Sequence, residues 1–368
     1  MTHGELNSKK RVTYVLHDIA IGGVEVALIS AIPALMAQYS LTIIVLGKID
    51  ARMIAHLNDN EKSVFKSLDF PLSTYPFRLF FLVGKILKSK PDILICSLWR
   101  SALLGTLAKY VRRHIRFYAF VHNTAFPHLP ARYFNERAAK AADVVLTDSV
   151  ATKVYVEAKF TPKAPVRVVS FLTRPTPIKR SKDLPIAGEE VRFIFLGRIN
   201  KVKNLPAAID LIQYLQKKSI NATLDIFGRN DDGTEDILKQ YVAANGLGQI
   251  IRFKGEVTGA DKWNVFRPYH LYVQLSFAEG MAMSVTEAMQ NGLVCIVSPV
   301  GEIPNYASDM QSAVFVDANG ADRRDDQFEK VLRVVTDPKI FEMLSQNAHA
   351  HFLSQRLYSD SLIEQIEL

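Results

Sequence analysis

The chain has 368 residues, 48% of them hydrophobic and 22% charged, the composition of an ordinary globular protein and not of a disordered or fibrous one. At about 150 residues per domain this length fits two domains, and no uninterrupted apolar run of about 18 residues marks a membrane-spanning helix. The formal charge of +8 is uneven: residues 1–180 hold 26 Lys and Arg against 12 Asp and Glu (+14), and residues 181–368 hold 19 against 25 (−6). A basic half suits nucleic acid, an anionic membrane or a phosphorylated substrate, but no aromatic-and-basic pattern typical of nucleic-acid binders occurs.

In chain order, residues 1–11 lack an apolar signal core and are expected to stay in the mature protein. Apolar runs at 11–19, 41–47, 92–98, 116–122, 144–149 and 166–172 predict buried strands. Stretches such as 24–40 and 101–114 predict amphipathic helices between them, the βαβ rhythm of a parallel sheet covered on both faces. Prolines and charges at 174–190 break the rhythm and predict a linker. It restarts with strands at 191–197, 222–228, 250–255, 271–276, 293–298 and 313–317, and residues 341–368 read as helical throughout. The expected domains are 1–173 and 191–350, with a helix at 351–368 returning to the first domain. Cys96 and Cys295 both sit in strand-like apolar runs, as reduced core cysteines of a cytoplasmic protein would.

Ligands of open α/β sheets bind beyond the carboxyl ends of strands, so residues that follow strands carry the information. Gly22 and Gly23 follow the first strand and precede a helix; adjacent glycines let a backbone approach an anion closely, and they equally form a plain tight turn. His122 ends a strand of the first half, either as a packed polar residue or as a functional one. Gly197, Arg198 and Lys203 follow strand 191–196, and a guanidinium with an ammonium suits a diphosphate. Asp231-Asp232-Gly233 reads as a surface turn. Glu279 and Glu287 stand eight positions apart. Ser284 and Glu287 have the spacing of a capping box, with serine at the N-cap. Glu279 precedes that box, and the loop Gly280-Met281-Ala282-Met283 between can offer N–H groups to an anion. No cluster has metal-ligand spacing, and no phosphate-binding P-loop or nucleophile elbow occurs.

Taken as an ordered series over residues 12–307, these stretches resemble the retaining glycosyltransferases of family 4 (glycosyl transferases group 1). Gly22-Gly23, His122, Gly197-Arg198 with Lys203, and Gly255 each match a family position, and the two glutamates with seven residues between them are the most diagnostic match. The resemblance implies the α/β GT-B fold, two doubly wound Rossmann-like domains facing across a cleft. It implies a nucleotide diphosphate sugar as donor substrate, no cofactor, and a glycan or lipid-linked acceptor in cell-surface glycan or glycolipid synthesis. Glu279 would hold sugar hydroxyls, Glu287 the ribose, and Arg198, Lys203 and the amides of 280–284 the diphosphate. Gly255 would precede the loop that reads the base. Domain closure would bring His122 and Gly22-Gly23 onto the donor. The chain departs from the family pattern at 168–175, at 227–233, and at Glu302 and Asn305, which replace a glycine and a glutamate common in the family. The competing readings are a sugar-nucleotide epimerase and a non-catalytic nucleotide-sugar-binding protein of the same fold.

The basic half concentrates cations at 77–90 (Lys85, Lys88 and Lys90 after Phe77, Phe80 and Phe81) and at 108–116 (Lys109, Arg112, Arg113 and Arg116). Two readings stand side by side: a basic amphipathic surface lying on an anionic membrane, and an apolar face packed on the sheet with solvated lysines.

Overall fold

The computed structural model describes residues 9–70, 74–122, 124, 126, 128–177, 183–186, 188–257, 261–317 and 324–368. The chain forms two compact units, residues 1–174 with 356–368, and residues 175–355.

The first unit alternates strands and helices: β1 (Arg11–Leu16), α1 (Gly23–Gln38), β2 (Ser40–Val45), α2 (Ala51–Ile54), α3 (Asp59–Ser63), β3 (Phe65–Ser67), α4 (Tyr75–Lys88), β4 (Ile93–Ser97), α5 (Trp99–Val111), β5 (Arg116–Val121), α6 (Leu129–Ala141), β6 (Val144–Thr147), α7 (Val150–Lys159) and β7 (Val166–Val168). Its strands pair in parallel in the order β3-β2-β1-β4-β5-β6-β7. Consecutive residues of β1 and β4 are buried on both faces, which is why these strands read as continuous apolar runs.

The second unit holds β8 (Val191–Leu196), α8 (Leu205–Lys217), β9 (Ala222–Phe227), α9 (Thr234–Ala244), β10 (Ile251–Gly255), α10 (Asp261–Asn264), β11 (Leu271–Gln274), α11 (Met283–Gln290), β12 (Val294–Val297), α12 (Ile303–Tyr306), β13 (Val314–Phe315), α13 (Arg324–Thr336) and α14 (Pro338–His351). Its parallel sheet runs β10-β9-β8-β11-β12-β13. The last helix, α15 (Tyr358–Glu367), belongs to the first unit and packs on α1. Tyr39 donates to Glu367 at 2.5 Å and Tyr118 to the Ile366 carbonyl at 3.2 Å.

Two expectations are corrected here, and one strand is added. Helix α1 is not amphipathic: Ala27, Leu28, Ile29, Ala31, Ile32 and Leu35 are all buried, because α15 packs against it as well. Residues 341–368 are not one helix. The break at 352–357 contains a bridge between Leu357 and Leu172 and a bond from the Tyr358 N–H to the Leu172 carbonyl, and this pairing overrides helix propensity. The added strand, β3, is a three-residue edge with two exposed positions, so no apolar run marks it.

Both sheets are doubly wound. Chain order reverses between β1 and β4 in one and between β8 and β11 in the other. At these points adjacent connections leave in opposite directions and open a crevice at the carboxyl ends of the strands.

Candidate functional site

In the second unit the loops around the switch point carry three of the charged side chains singled out above, two of which meet. Arg198 follows β8, Lys203 closes the 3-10 turn Lys201–Lys203, and Glu279 follows β11. Asn200 caps that turn by accepting from the Lys203 N–H at 3.3 Å, and Asn204 behind it is left-handed (φ 48). Lys203 Nζ donates to both Glu279 oxygens, at 2.7 and 2.9 Å. The pair is largely shielded, with side chains 15% and 7% exposed. Arg198 is different: it contacts Asp231 at 3.2 Å with its side chain 60% exposed. Asp231 also receives Arg229 at 3.1 Å, and Asp232 accepts from the Lys201 N–H at 3.1 Å. The segment 231–233, expected to be a plain surface turn, therefore braces the cationic loop. Sequence spacing gives no sign of this, because Asp231 and Arg198 come from different βα loops.

Two glycines allow backbones to touch. A Cβ on Gly228 would lie 1.8 Å from the Gly197 carbonyl oxygen, so the loop after β9 packs directly on the loop after β8. Gly301 has φ +61, and a Cβ there would lie 2.4 Å from the Glu279 carbonyl oxygen and 2.6 Å from that of Gly280. The Glu302 N–H donates to the Gly280 carbonyl at 3.0 Å. The Glu279-Gly280 loop thus rests on residues 300–302. Glu302 is buried and receives the Asn305 amide at 2.8 Å.

The expected capping box does not form. Helix α11 starts at Met283 after Ala282, which takes the left-handed conformation (φ 52, ψ 55) without a side-chain cap. The Ser284 hydroxyl points inward, 2.9 Å from Tyr272 OH and 3.1 Å from Gln274 Oε1. Gln274 in turn donates to Glu279 Oε1 at 2.8 Å. Glu287 is buried within α11. Tyr272 and Gln274 are site residues that motif spacing missed. Their signal is a polar stripe, Tyr272, Gln274 and Ser276, on alternate positions of an otherwise apolar strand. Gly255 is left-handed (φ +75) and accepts from the Gly228 N–H at 2.8 Å. The base-reading loop expected after it runs into residues 258–260, outside the described residues.

The first unit gathers its own residues at its switch point. Gly22 caps α1 with φ −161, ordinary extended backbone, and Gly23 is the first residue of that helix. His122 is buried, stacks on Phe120 with ring centroids 4.2 Å apart, and has Nε2 3.0 Å from Ser97 Oγ. Its Nδ1 lies 3.8 Å from Asp148. Burial pushes the imidazole down to about 3, so it stays neutral at physiological pH. Although Ser97, His122 and Asp148 line up in the order of a hydrolytic triad, Ser97 is fully buried and also engaged by Tyr14 at 2.5 Å, which denies it a substrate. Leu98, next to it, has φ 72 and ψ 159, a region that costs a non-glycine residue about 1–3 kcal/mol and clusters at functional sites. His17 accepts from the Arg100 N–H at 2.9 Å, and burial lowers it too to about 3. Among the described residues no group of three or more His, Cys, Asp or Glu is placed to hold a metal.

Residues 178–351 match the model of the glycosyl transferases group 1, and residues 21–170 that of Glycosyltransferase Family 4. A curated relative, GDP-mannose:cellobiosyl-diphosphopolyprenol alpha-mannosyltransferase of Xanthomonas oryzae pv. oryzae (strain PXO99A), is 26% identical over 136 residues. That match covers 37% of this chain and only 36% of the relative. Among solved structures, Anabaena Alr3699/HepE in complex with UDP-glucose superposes with a TM-score of 0.78 at 16% identity, covering 97% of this chain and 99% of that one. Sucrose-phosphate synthase from Thermosynechococcus elongatus follows at 0.74 and 12%, covering 98% of each chain. These likenesses show the GT-B fold, and the matches do not favour the epimerase alternative.

Proposed function

Because this chain belongs to the family 4-like glycosyltransferases of the GT-B fold, we propose that it moves a sugar from a nucleoside diphosphate sugar to an acceptor hydroxyl with retention at the anomeric carbon. One observation carries this reading: Lys203 and Glu279 meet at the switch point between β8 and β11, and Arg198 stands on the same loop as Lys203. Cleavage of the glycosidic C–O bond leaves negative charge on the departing diphosphate. Preorganised cations stabilise that charge as it develops, and the first N–H groups of α11 add the positive end of a helix dipole. In the free protein Lys203 and Arg198 are occupied by Glu279 and Asp231. The incoming diphosphate takes over these cations, and Glu279 is released to accept hydrogen bonds from sugar hydroxyls. Glu287 holds the ribose. With this cationic set in place the reaction proceeds without a metal ion.

The relatives differ in donor by name, GDP-mannose in one and UDP-glucose in the other. The decisive experiment is therefore a panel of UDP-, GDP- and ADP-sugars, read by thermal stabilisation and nucleotide release. A donor at 100 times its Kd adds about 2.7 kcal/mol to stability. One donor class should stabilise the protein and release its nucleoside diphosphate; no stabilisation by any of them overturns the reading.

A lipid-linked acceptor at an anionic membrane is supported by helix α4. Leu82, Val83 and Ile86 face the core, whereas Phe77 and Phe80 are 93% and 91% exposed. Lys85 lies over the Phe81 ring at 5.1 Å and Arg78 over Phe70 at 4.3 Å. The buried and the exposed apolar residues thus lie on different faces of one helix, which leaves the exposed face available to a membrane.

A further inference from the structure

We propose that Gln274, set by Tyr272 and Ser284, is a positioning residue that aims the Glu279 carboxylate at the donor sugar; this rests on the reading of Glu279 given above. Gln274 ends β11 and is 1% exposed. Its amide nitrogen is 2.8 Å from Glu279 Oε1. Its amide oxygen faces two hydroxyls, Tyr272 at 2.6 Å and Ser284 at 3.1 Å. A carboxylate only accepts hydrogen bonds, so the side of the amide that meets Glu279 must be its NH2, and the hydroxyls supply the donors that its oxygen needs. Tyr272 OH also lies 3.1 Å from the Leu196 carbonyl oxygen at the end of β8, a second and longer acceptor for its single hydrogen.

Lys203 alone does not fix Glu279. An ammonium is a point charge on a flexible stem, free to follow a carboxylate wherever it moves. Once a diphosphate draws Lys203 away, Gln274 is the neutral donor that stays with Glu279 Oε1. It leaves Oε2 free for a sugar hydroxyl.

The test uses the full chain with two variants. Gln274→Leu removes the amide and keeps the apolar bulk. Calorimetry with UDP, GDP and ADP should give affinities within about twofold of wild type, whereas the sugar nucleotide selected by the panel should bind or turn over about tenfold less well, the worth of one hydrogen bond to a charged group. Equal losses for the diphosphate and the sugar nucleotide, or no loss for either, overturn the proposal.

Gln274→Glu tests the contact without any ligand. A carboxyl placed against Glu279 and buried has its proton affinity raised by both effects. Its folded-state pKa then exceeds the unfolded value, so its stability contribution is present at low pH and lost as pH rises. Melting temperature relative to wild type should fall between about pH 4 and pH 8, and Gln274→Glu combined with Glu279→Gln should leave only the shallower trend that burial alone produces. A trend that Glu279→Gln leaves unchanged overturns the proposed contact. Failure of wild type to bind any nucleotide, with this pH trend intact, would instead reject the donor reading alone.

Discussion

Lys203 and Arg198 are both cations beside carboxylates, yet their surroundings assign them different costs of removal. The Lys203–Glu279 pair is shielded, and Lys203→Ala leaves a buried carboxylate without its ammonium; this costs about 3 kcal/mol of stability besides about 2–4 kcal/mol of transition-state stabilisation. The Arg198–Asp231 pair is open to solvent on the arginine side and contributes about 0–1 kcal/mol. Arg198→Ala should therefore lower turnover with little change in melting temperature, and Lys203→Ala should lower both. Adding Glu279→Gln to Lys203→Ala should restore the melting temperature but not the activity. Turnover should also survive exhaustive EDTA treatment if these cations act alone; loss restored by Mg²⁺ would reject that account. The histidines supply a pH prediction. His17 and His122 are held near 3 by burial, against an unfolded value of about 6.5. The unfolded chain binds more protons between those values, so stability is lost as pH falls from about 6.5 towards 3, on the order of a few kcal/mol for each histidine. His122→Asn should flatten the acid limb of a denaturation series, and an unchanged limb would sink the assignment. Arg198, Lys203 and Glu279 could be singled out as candidates because each follows a strand closely in sequence. The partners of Gln274 lie nearby in the chain, at 272, 279 and 284, but match no familiar motif, and the contact of Asp231 with Arg198 forms only when separate βα loops meet.

At the scale of elements, periodicity revealed the strands that are buried on both faces and missed β3, whose exposed edge carries no apolar run. The serine–glutamate spacing at 284 and 287 pointed to a capping box because that motif is local. The folded chain instead turns Ser284 toward the polar stripe on β11 and begins α11 with a left-handed Ala282, a tertiary contact outweighing a local cap. The seat of the Glu279 loop was equally hidden: Gly301 looks like any turn glycine in the sequence, and only its contact with the Glu279 and Gly280 carbonyls shows what it permits. Gly301→Ala places a methyl group where there is no room and strains a left-handed position. It should cost about 1–3 kcal/mol in stability and lower transfer more than nucleoside diphosphate affinity, since the displaced residue is Glu279. Wild-type kinetics in a stably folded Gly301→Ala protein would show that this loop does not set the glutamate.

For the whole molecule, the division into a basic and an acidic half follows the division of labour proposed here. The acidic half places Arg198 and Lys203 at the candidate donor site, while the basic half carries a surplus of cations over carboxylates. Lys109 is accounted for: it donates to Asp143 at 2.7 Å and to the Arg113 and Ile115 carbonyls. Arg116 lies over Tyr118 at 5.4 Å and reaches the Ile366 carbonyl. Arg78, Lys85, Lys88, Arg112 and Arg113 remain exposed, on the segments that also expose Phe77, Phe80, Tyr110 and Val111. Charge and apolar surface on neighbouring helices act at a membrane by separable forces. Each cation near an anionic surface contributes about 1 kcal/mol and is screened by salt. Each inserted phenylalanine contributes about 1.5–3 kcal/mol and is not screened in that way. Flotation with anionic and neutral liposomes separates the two forces. Wild type should float much more strongly with anionic than with neutral vesicles, and less so at high salt. Lys85→Glu with Lys88→Glu should remove the preference for anionic lipid. Phe77→Ser with Phe80→Ser should weaken binding about 100-fold or more at low salt, from the summed apolar contribution, and should abolish the residue of binding that persists at high salt. Both pairs of side chains point away from the core, so the melting temperature of each variant should stay at the wild-type value. Absence of wild-type flotation with anionic vesicles would reject the membrane surface and favour a soluble acceptor. The donor chemistry would stand, since it depends on side chains of the other unit.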